Sequence, residues 1–289
     1  MSPTPHNPAR ALEYKENGNR CYQTGDYVGA EVLYSKAIMW DSTNPSFYVN
    51  RAMARLKLSQ WDGVIADSQE AIRLKENNMK AWYNLAQAQA AKGDMEVAVN
   101  SALRAHHECL REMREGGRGG SSLANITELV LKCKKVRWDQ LEKKRLARQE
   151  GVVGEAVRGL EARREARIQE LRSQGEGSIE EKVIELRKEY DIMIDDVRKA
   201  FEQAGVDGAR KRTVPDWCID DITFAIMVDP VITKTGQSYE RSSILEHLKR
   251  SPTDPLTREP LRPDELRPNL ALKQACEEFL EENGWAVDW

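Results

Sequence analysis

Residues 11–112 repeat at an interval of 34 positions. Three triplets mark the period: Gly18, Ala52 and Ala86; Tyr27, Trp61 and Met95; and Ala37, Ala71 and Ala105. Small residues recur where two helices of one block would touch, and large residues recur where the space between helices needs filling. Blocks of this length bury a continuous core only by stacking on their neighbours, and about three are needed. The sequence therefore predicts a helical solenoid over residues 9–112.

This period is typical of tetratricopeptide repeats. An array of repeats needs a final helix with one polar face, and residues 113–138 predict one after a flexible loop at Gly116–Ser122. Its apolar side chains have helical spacing: Leu123, Ile126, Val130, Cys133 and Val136. The predicted architecture of this region is three repeats closed by a capping helix.

Polar residues recur on the first helix of each repeat, which would line a concave groove. Lys15 and Asn19 are four residues apart, so they share one helical face. Asn50 lies at the matching part of the second repeat, and Lys80 and Asn84 at that of the third. Ammonium and amide groups converging in one groove suit a ligand with carboxylates, such as a peptide C-terminus. The alternative is that both lysines are ordinary solvated surface residues.

The joint pattern resembles the carboxylate clamp of co-chaperones that hold the Glu-Glu-Val-Asp tail of cytosolic heat-shock chaperones. The resemblance implies a clamp made of Lys15, Asn19, Asn50 and Lys80. It also implies that Tyr83 is an apolar wall for the tail. Asn84 stands where many clamps have a basic residue.

Residues 139–205 are rich in charge and predict a helical hairpin. From Ile179 the apolar positions alternate in steps of four and three, as in a coiled coil: Val183, Leu186, Tyr190, Met193, Val197 and Ala200. Ser178 and Glu181 form a capping box, and Gln174–Gly177 is the expected turn of an antiparallel hairpin. One hairpin offers a thin seam, so we expect it to form a homodimer. The alternative is packing against the repeats.

The overall composition argues against two classes of binding partner. The net charge is −3 with 31% charged residues, and no apolar run spans a bilayer, so nucleic acid and membrane are not expected partners. The N-terminus lacks the pattern of a signal peptide. Five cysteines stand far apart with no CxxC pair, which favours a reducing compartment. The expected location is the cytoplasm, with the nucleus as an alternative.

Residues 213–289 predict a small α+β unit. A hairpin spans Val231–Tyr239, a helix runs from about Ser242 to Arg250, and a last helix begins at Asn269 as N-cap and ends before Gly284. The element order is similar to a zinc RING domain. Only Cys218 and Cys276 are available as thiol ligands, and His247 has no neighbouring ligand, so no metal and no cofactor is expected.

This region resembles the U-box family through an ordered series of fragments: Pro215–Trp217, Ile222–Phe224, Met227–Val231, Gly236–Tyr239, Asp254–Thr257 and Pro268–Leu270. The resemblance implies that Ile222 and Phe224, with Pro255 and Thr257, dock a ubiquitin-conjugating enzyme. It further implies that Arg258 restrains the thioester-linked ubiquitin. The alternative is that Ile222 and Phe224 are core residues.

Taken in order, the three parts resemble chaperone-linked U-box ubiquitin ligases. The likeness includes Lys134–Trp138 and Glu282–Trp285. It implies a mainly α-helical ligase without a covalent intermediate, whose partners are chaperone tails, a conjugating enzyme, ubiquitin and misfolded clients. The alternative is a non-enzymatic chaperone adaptor.

Overall fold

The computed structural model describes residues 7–115, 120–174, 179–206 and 213–288. Six helices form three antiparallel pairs: α1 (Pro8–Gln23), α2 (Tyr27–Trp40), α3 (Pro45–Lys57), α4 (Trp61–Leu74), α5 (Met79–Lys92) and α6 (Met95–Arg114). The first helix of each pair begins after an asparagine, Asn7, Asn44 or Asn78, whose side chain accepts a backbone N–H of the first turn. The predicted helical solenoid is confirmed.

The repeat period has a direct physical cause at two positions. A Cβ at residue 18 would lie 2.7 Å from the ring of Tyr34, so only glycine allows α1 and α2 to approach this closely. The turn between paired helices needs a left-handed residue. Gly25 and Gly93 supply it with φ of 84° and 87°, and Ser59 holds the same place in the second repeat with φ of 56°.

The next helix, α7 (Gly120–Gln174), is 55 residues long and unbroken. Its first part buries Leu123, Ile126, Val130 and Cys133, as the predicted capping helix requires, while Val136 is half-buried. The sequence placed a loop at Gly116–Ser122, but residues 120–122 are already helical, and residues 116–119 lie outside the described residues. The predicted turn at 175–177 and the capping residue Ser178 also lie outside them.

The chain forms two compact units. One comprises Met1–Trp138 and Pro215–Trp289, and the other comprises Asp139–Val214. In the second unit, α8 (Ile179–Val206) runs antiparallel to α7. Gln149 Nε2 donates to the carbonyl oxygen of Phe201 at 3.0 Å, and Arg164 pairs with Asp191 at 2.9 Å.

The seam of this hairpin differs from the predicted one. Val183 is buried as expected, but Met193 and Ala200 are exposed, and Ile194 is buried in place of Met193. A strict heptad assumes 3.5 residues per turn, whereas an α-helix has about 3.6, so the inward face drifts along α8. Met193 and Ala200 are therefore not buried within the hairpin, and the dimer seam that includes them stays a prediction.

The C-terminal region is a three-stranded antiparallel sheet with two helices. Strands β1 (Pro230–Ile232), β2 (Ser238–Glu240) and β3 (Arg267–Pro268) lie in the order β2-β1-β3. Helix α9 (Arg241–Arg250) follows β2, and α10 (Leu270–Glu282) begins at the N-cap Asn269. Val231, Tyr239, Ile244 and Leu261 form a fully buried core. Within the part of the chain that is described, no helix is long and apolar enough to cross a membrane.

Candidate functional site

The concave side of the repeats holds a cavity of about 600 Å³. Lys80, Tyr83 and Asn84 of α5 line it, as predicted from the sequence. Burial raises the pKa of the Tyr83 phenol, so this ring presents a neutral surface at physiological pH. Asn84 is buried, and its Nδ2 lies 3.5 Å from the carbonyl oxygen of Val49, so it also ties α5 to α3.

A smaller cavity of about 160 Å³ adjoins the first, with Tyr22 and Met53 lining both. Asn19 and Asn50 line this smaller cavity. Asn19 Oδ1 accepts from the Tyr34 hydroxyl at 2.9 Å and from Asn50 Nδ2 at 3.0 Å. These bonds fix both amides side by side. Lys15 is half-buried on α1, one turn before Asn19, but it lines neither cavity.

Two further cations line the large cavity. Lys57 lies on α3 two helical turns after Asn50, and Lys132 lies on α7. The spacing of seven residues from Asn50 was a signal in the sequence that would have identified Lys57. Lys132 belongs to the capping helix, outside the repeat period, so no spacing points to it. Three ammonium groups around one cavity make it suitable for an anionic ligand.

Two loops of the C-terminal region have the same local structure. The first contains Asp220–Ala225 and the second Asp254–Glu259. In each, the aspartate N–H donates to the carbonyl oxygen five residues later, at 2.8 Å, and its carboxylate accepts the N–H of the threonine three residues later, at 3.0 Å. The fifth residue, Phe224 or Arg258, adopts a left-handed backbone with φ of 57° or 61°. Such strain in non-glycine residues is concentrated at functional sites.

Buried carboxylates hold both loops in place. Asp220 Oδ1 accepts the N–H of Glu240 at 2.9 Å, and Asp254 Oδ1 accepts the Tyr239 hydroxyl at 2.9 Å. Burial opposes the ionisation of Asp254. The amides of Thr257 and Leu256 and nearby hydroxyls outweigh burial and hold its pKa below the ordinary value. In the described ranges, no group of three or more His, Cys, Asp or Glu residues is arranged to hold a metal ion.

The tips of the twin loops carry exposed apolar side chains. Phe224 is 71% exposed and Leu256 is 61% exposed, whereas Ile222 is half-buried against the core. The alternative that these two residues belong to the core therefore holds in part for Ile222 and does not hold for Phe224. Leu256 was missed, although it occupies the same place after Asp254 that Ile222 occupies after Asp220. Pro255 is half-buried, and Thr257 and Arg258 are exposed beside this surface.

The two cysteines of the C-terminal region are unsuited to covalent catalysis. Burial raises the pKa of the Cys218 thiol to about 11 and that of Cys276 to about 12. A thiol with such a pKa is protonated at neutral pH and is a poor nucleophile. The C-terminal region therefore offers docking surfaces and an exposed cation.

Parts of the chain are similar to known proteins. A family model described as the U-box domain matches residues 214–285. Over 69 residues, 24% of this chain and 7% of the relative, the sequence is 41% identical to ubiquitin conjugation factor E4 of Schizosaccharomyces pombe. A structure of the TPR2B-domain:pHsp70 complex of yeast Sti1 is 26% identical, with a TM-score of 0.40 over 43% of this chain and 96% of that chain.

One relative matches nearly the whole chain. Over 279 residues the sequence is 31% identical to E3 ubiquitin-protein ligase CHIP of Arabidopsis thaliana, and the alignment covers 96% of each protein. Both functional regions described above fall within this alignment. The chain belongs to the CHIP family of U-box E3 ubiquitin-protein ligases.

Proposed function

We propose that this ligase acts on proteins held by cytosolic heat-shock chaperones, whose C-terminal Glu-Glu-Val-Asp tail binds in the groove of the repeats. The observation that carries the proposal is the pair of adjoining cavities lined by Lys57, Lys80 and Lys132 with the amides of Asn19 and Asn50. A chain terminus brings two acceptor oxygens beside acidic side chains, which match ammonium and amide donors. Lys15 lies one turn from Asn19 and extends the positive charge.

The U-box, in the proposed function, binds a ubiquitin-conjugating enzyme through Phe224, Leu256 and Ile222. The exposure of Phe224 and Leu256 supports this, because large exposed apolar side chains mark protein interfaces. Pro255 and Thr257 border the surface. Arg258 lies at its edge and would donate hydrogen bonds that restrain the ubiquitin thioester. A client or chaperone lysine then attacks the thioester directly, and the ligase contributes proximity and orientation.

We propose that the modified proteins are misfolded clients destined for proteasomal degradation in the cytoplasm, with the nucleus as a second compartment. We also propose that the chain is a homodimer joined by its hairpin. Apolar side chains that the hairpin leaves exposed support the dimer: Leu141, Leu146 and Val152 on α7, and Ile184, Ile192 and Met193 on α8. Surfaces of this kind are usually covered in an assembly.

Peptide binding tests the tail proposal. A peptide ending in Glu-Glu-Val-Asp is titrated into the full chain, the Lys80→Ala variant and the Lys57→Ala variant. Each substitution should weaken binding by roughly 1.5–3 kcal/mol, because a bond to a charged group is lost. The exposed Lys75, which lines neither cavity, gives the control Lys75→Ala. Unchanged affinity in both groove variants, or equal binding of the C-terminally amidated peptide, contradicts the proposal.

A further inference from the structure

Two segments that share the family resemblance, Lys134–Trp138 and Glu282–Trp285, meet in the structure. Trp138 Nε1 on α7 donates to the carbonyl oxygen of Glu282 at 3.2 Å. Gly284 is buried against the same indole, and a Cβ at this position would overlap the Trp138 side chain. Lys135 pairs with Asp288. We call this contact the Trp138–Gly284 joint.

The joint is held to the U-box core by aromatic packing. Trp285 contacts Phe279 of α10 edge to face, with ring centroids 6.5 Å apart, and Phe279 contacts Trp217 at 6.2 Å. Edge-to-face pairs at these separations are favourable beyond their buried area. The segment after α10 is therefore fixed on the U-box side as well as on the α7 side.

Three more contacts extend the interface. Val228 of the U-box packs with Ala86, Ala102 and Val130 of the repeats and α7 in one buried cluster. Lys134 is buried, and the carboxylates of Glu277 and Glu281 on α10 attract its ammonium group electrostatically. A buried cation is stable only near compensating charge or hydrogen-bond acceptors, so the two glutamates match its position.

His106 of α6 is also buried at this interface. Burial lowers its pKa to about 4, and the charges acting on it are Asp229, Arg241 and Lys273 of the U-box and His107 of its own helix. The imidazole is therefore neutral at physiological pH.

We propose that the Trp138–Gly284 joint is an interaction surface whose occupant is the chain's own U-box, and that it fixes the direction in which the U-box faces from the repeats. The apolar tips of the twin loops remain exposed in this arrangement, so the joint leaves the surface for the conjugating enzyme free. Because catalysis here depends on proximity, the fixed direction decides which acceptor lysines the thioester reaches. This last step rests on the proposed function, whereas the joint itself does not.

The test uses two substitutions on opposite sides of the joint in the full chain. Gly284→Ala inserts a methyl group against Trp138, and Lys134→Glu places a third carboxylate beside Glu277 and Glu281. Gly159→Ala, at a helical glycine of α7 with open space around its Cα, is the matched control. Binding of the conjugating enzyme and discharge of its ubiquitin onto free lysine show whether each U-box is folded, and both should stay within about twofold of wild type.

The first readout is hydrogen exchange at residues 130–138 and 280–288. Both segments should exchange at least tenfold faster in Gly284→Ala and Lys134→Glu, and at the wild-type rate in Gly159→Ala. The second readout is the pattern of lysines modified on a substrate that ends in Glu-Glu-Val-Asp, which should change in the two joint variants. Unchanged exchange in both folded variants would show that the joint does not hold the two segments together. Faster exchange with an unchanged lysine pattern would show that the joint does not decide which lysines are modified. A wild-type chain that fails to modify this substrate disproves the chaperone-tail function, and the exchange data still decide the joint.

Discussion

At the scale of single residues, Asp254 connects several parts of the U-box through its carboxylate. Its carboxylate accepts the amides of Leu256 and Thr257 and the hydroxyls of Tyr239 and Thr235. One side chain therefore ties the second loop to the hairpin. Asp220 accepts the N–H and hydroxyl of Thr223 and the N–H of Glu240, so a carboxylate anchors the first loop as well.

We expect Asp254→Asn to lower the free energy of unfolding of the U-box by roughly 1.5–3 kcal/mol, since a charged acceptor becomes neutral. The depressed pKa of Asp254 gives the pH dependence its sign. Its stabilising contribution is present above the ordinary aspartate pKa and is lost as the pH falls through the folded-state pKa. Urea denaturation at pH 7 checks the loss, with the exposed Asp221→Asn as control. Equal stability of the two variants would show that Asp254 is not an anchor.

Glu240 gives a pH dependence of the opposite sign. Burial raises its pKa to about 7, against the effect of the Asp229 and Val228 amides that donate to Oε2. The folded state therefore holds its proton more tightly than the unfolded state does. The resulting stability is full below about pH 4.5 and is lost as the pH rises through about 7.

Glu240→Gln is neutral at every pH and keeps an acceptor for both amides. The variant should lose less stability between pH 5 and pH 8 than wild type, by up to about 3 kcal/mol. Denaturant titrations at both pH values measure this difference. Parallel losses in the two proteins would mean that Glu240 is ionised throughout. The buried His106 acts in the opposite sense between about pH 4 and 6.5, and it is present in both proteins.

At the scale of elements, the repeat period predicted the helices well because it reflects local constraints. Gly18 and the helix N-caps act within one or two turns, so their spacing in the sequence carries over into the structure. The heptad spacing is less informative about which side chains the hairpin buries. The inward face drifts along α8, so Ile194 is buried and Met193 is exposed.

Ser59 offers a test of the repeat register. It occupies the left-handed turn position that glycine holds in the other two repeats. A non-glycine residue in this conformation costs about 1 kcal/mol relative to glycine. Ser59→Gly should raise the stability of the repeats by up to that amount in thermal or denaturant unfolding, whereas Ser59→Ala should not. A glycine variant no more stable than the alanine variant would remove the strain argument.

Substitutions in the hairpin can test dimerisation separately from folding, because some of its apolar side chains are exposed and others are buried. Ile192 is 62% exposed and Met193 is 40% exposed, so replacing both with lysine should spare the hairpin itself. If the hairpin forms the proposed dimer, light scattering should show this variant shifting from dimer to monomer mass at unchanged helicity. Val183→Lys, within the buried seam, should instead reduce helicity. A dimer that survives the double substitution uses another surface.

At the scale of the whole molecule, long-range contacts mark the limit of prediction from one sequence. The twin loops were predictable, because Asp-x-x-Thr recurs at Asp220 and Asp254 in the sequence itself. Trp138 and the carbonyl of Glu282 are 144 residues apart, and no periodicity or turn signal relates them. Lys132 was missed for the same reason, since it reaches the groove from outside the repeats.

The division of labour between the two binding surfaces leads to a kinetic prediction. In the proposed function the groove contributes only proximity, so Lys80→Ala should raise the KM for a tail-bearing substrate and leave kcat nearly unchanged. The same proposal has Arg258 acting on the thioester near the transition state, so Arg258→Ala should lower kcat by about tenfold or more, and no substrate concentration should restore it. Discharge onto free lysine separates the two further, because it needs Arg258 and bypasses the groove. Steady-state ubiquitination across a substrate titration measures both constants. If high substrate concentration rescues Arg258→Ala as well as Lys80→Ala, Arg258 serves binding alone and has no part in restraining ubiquitin.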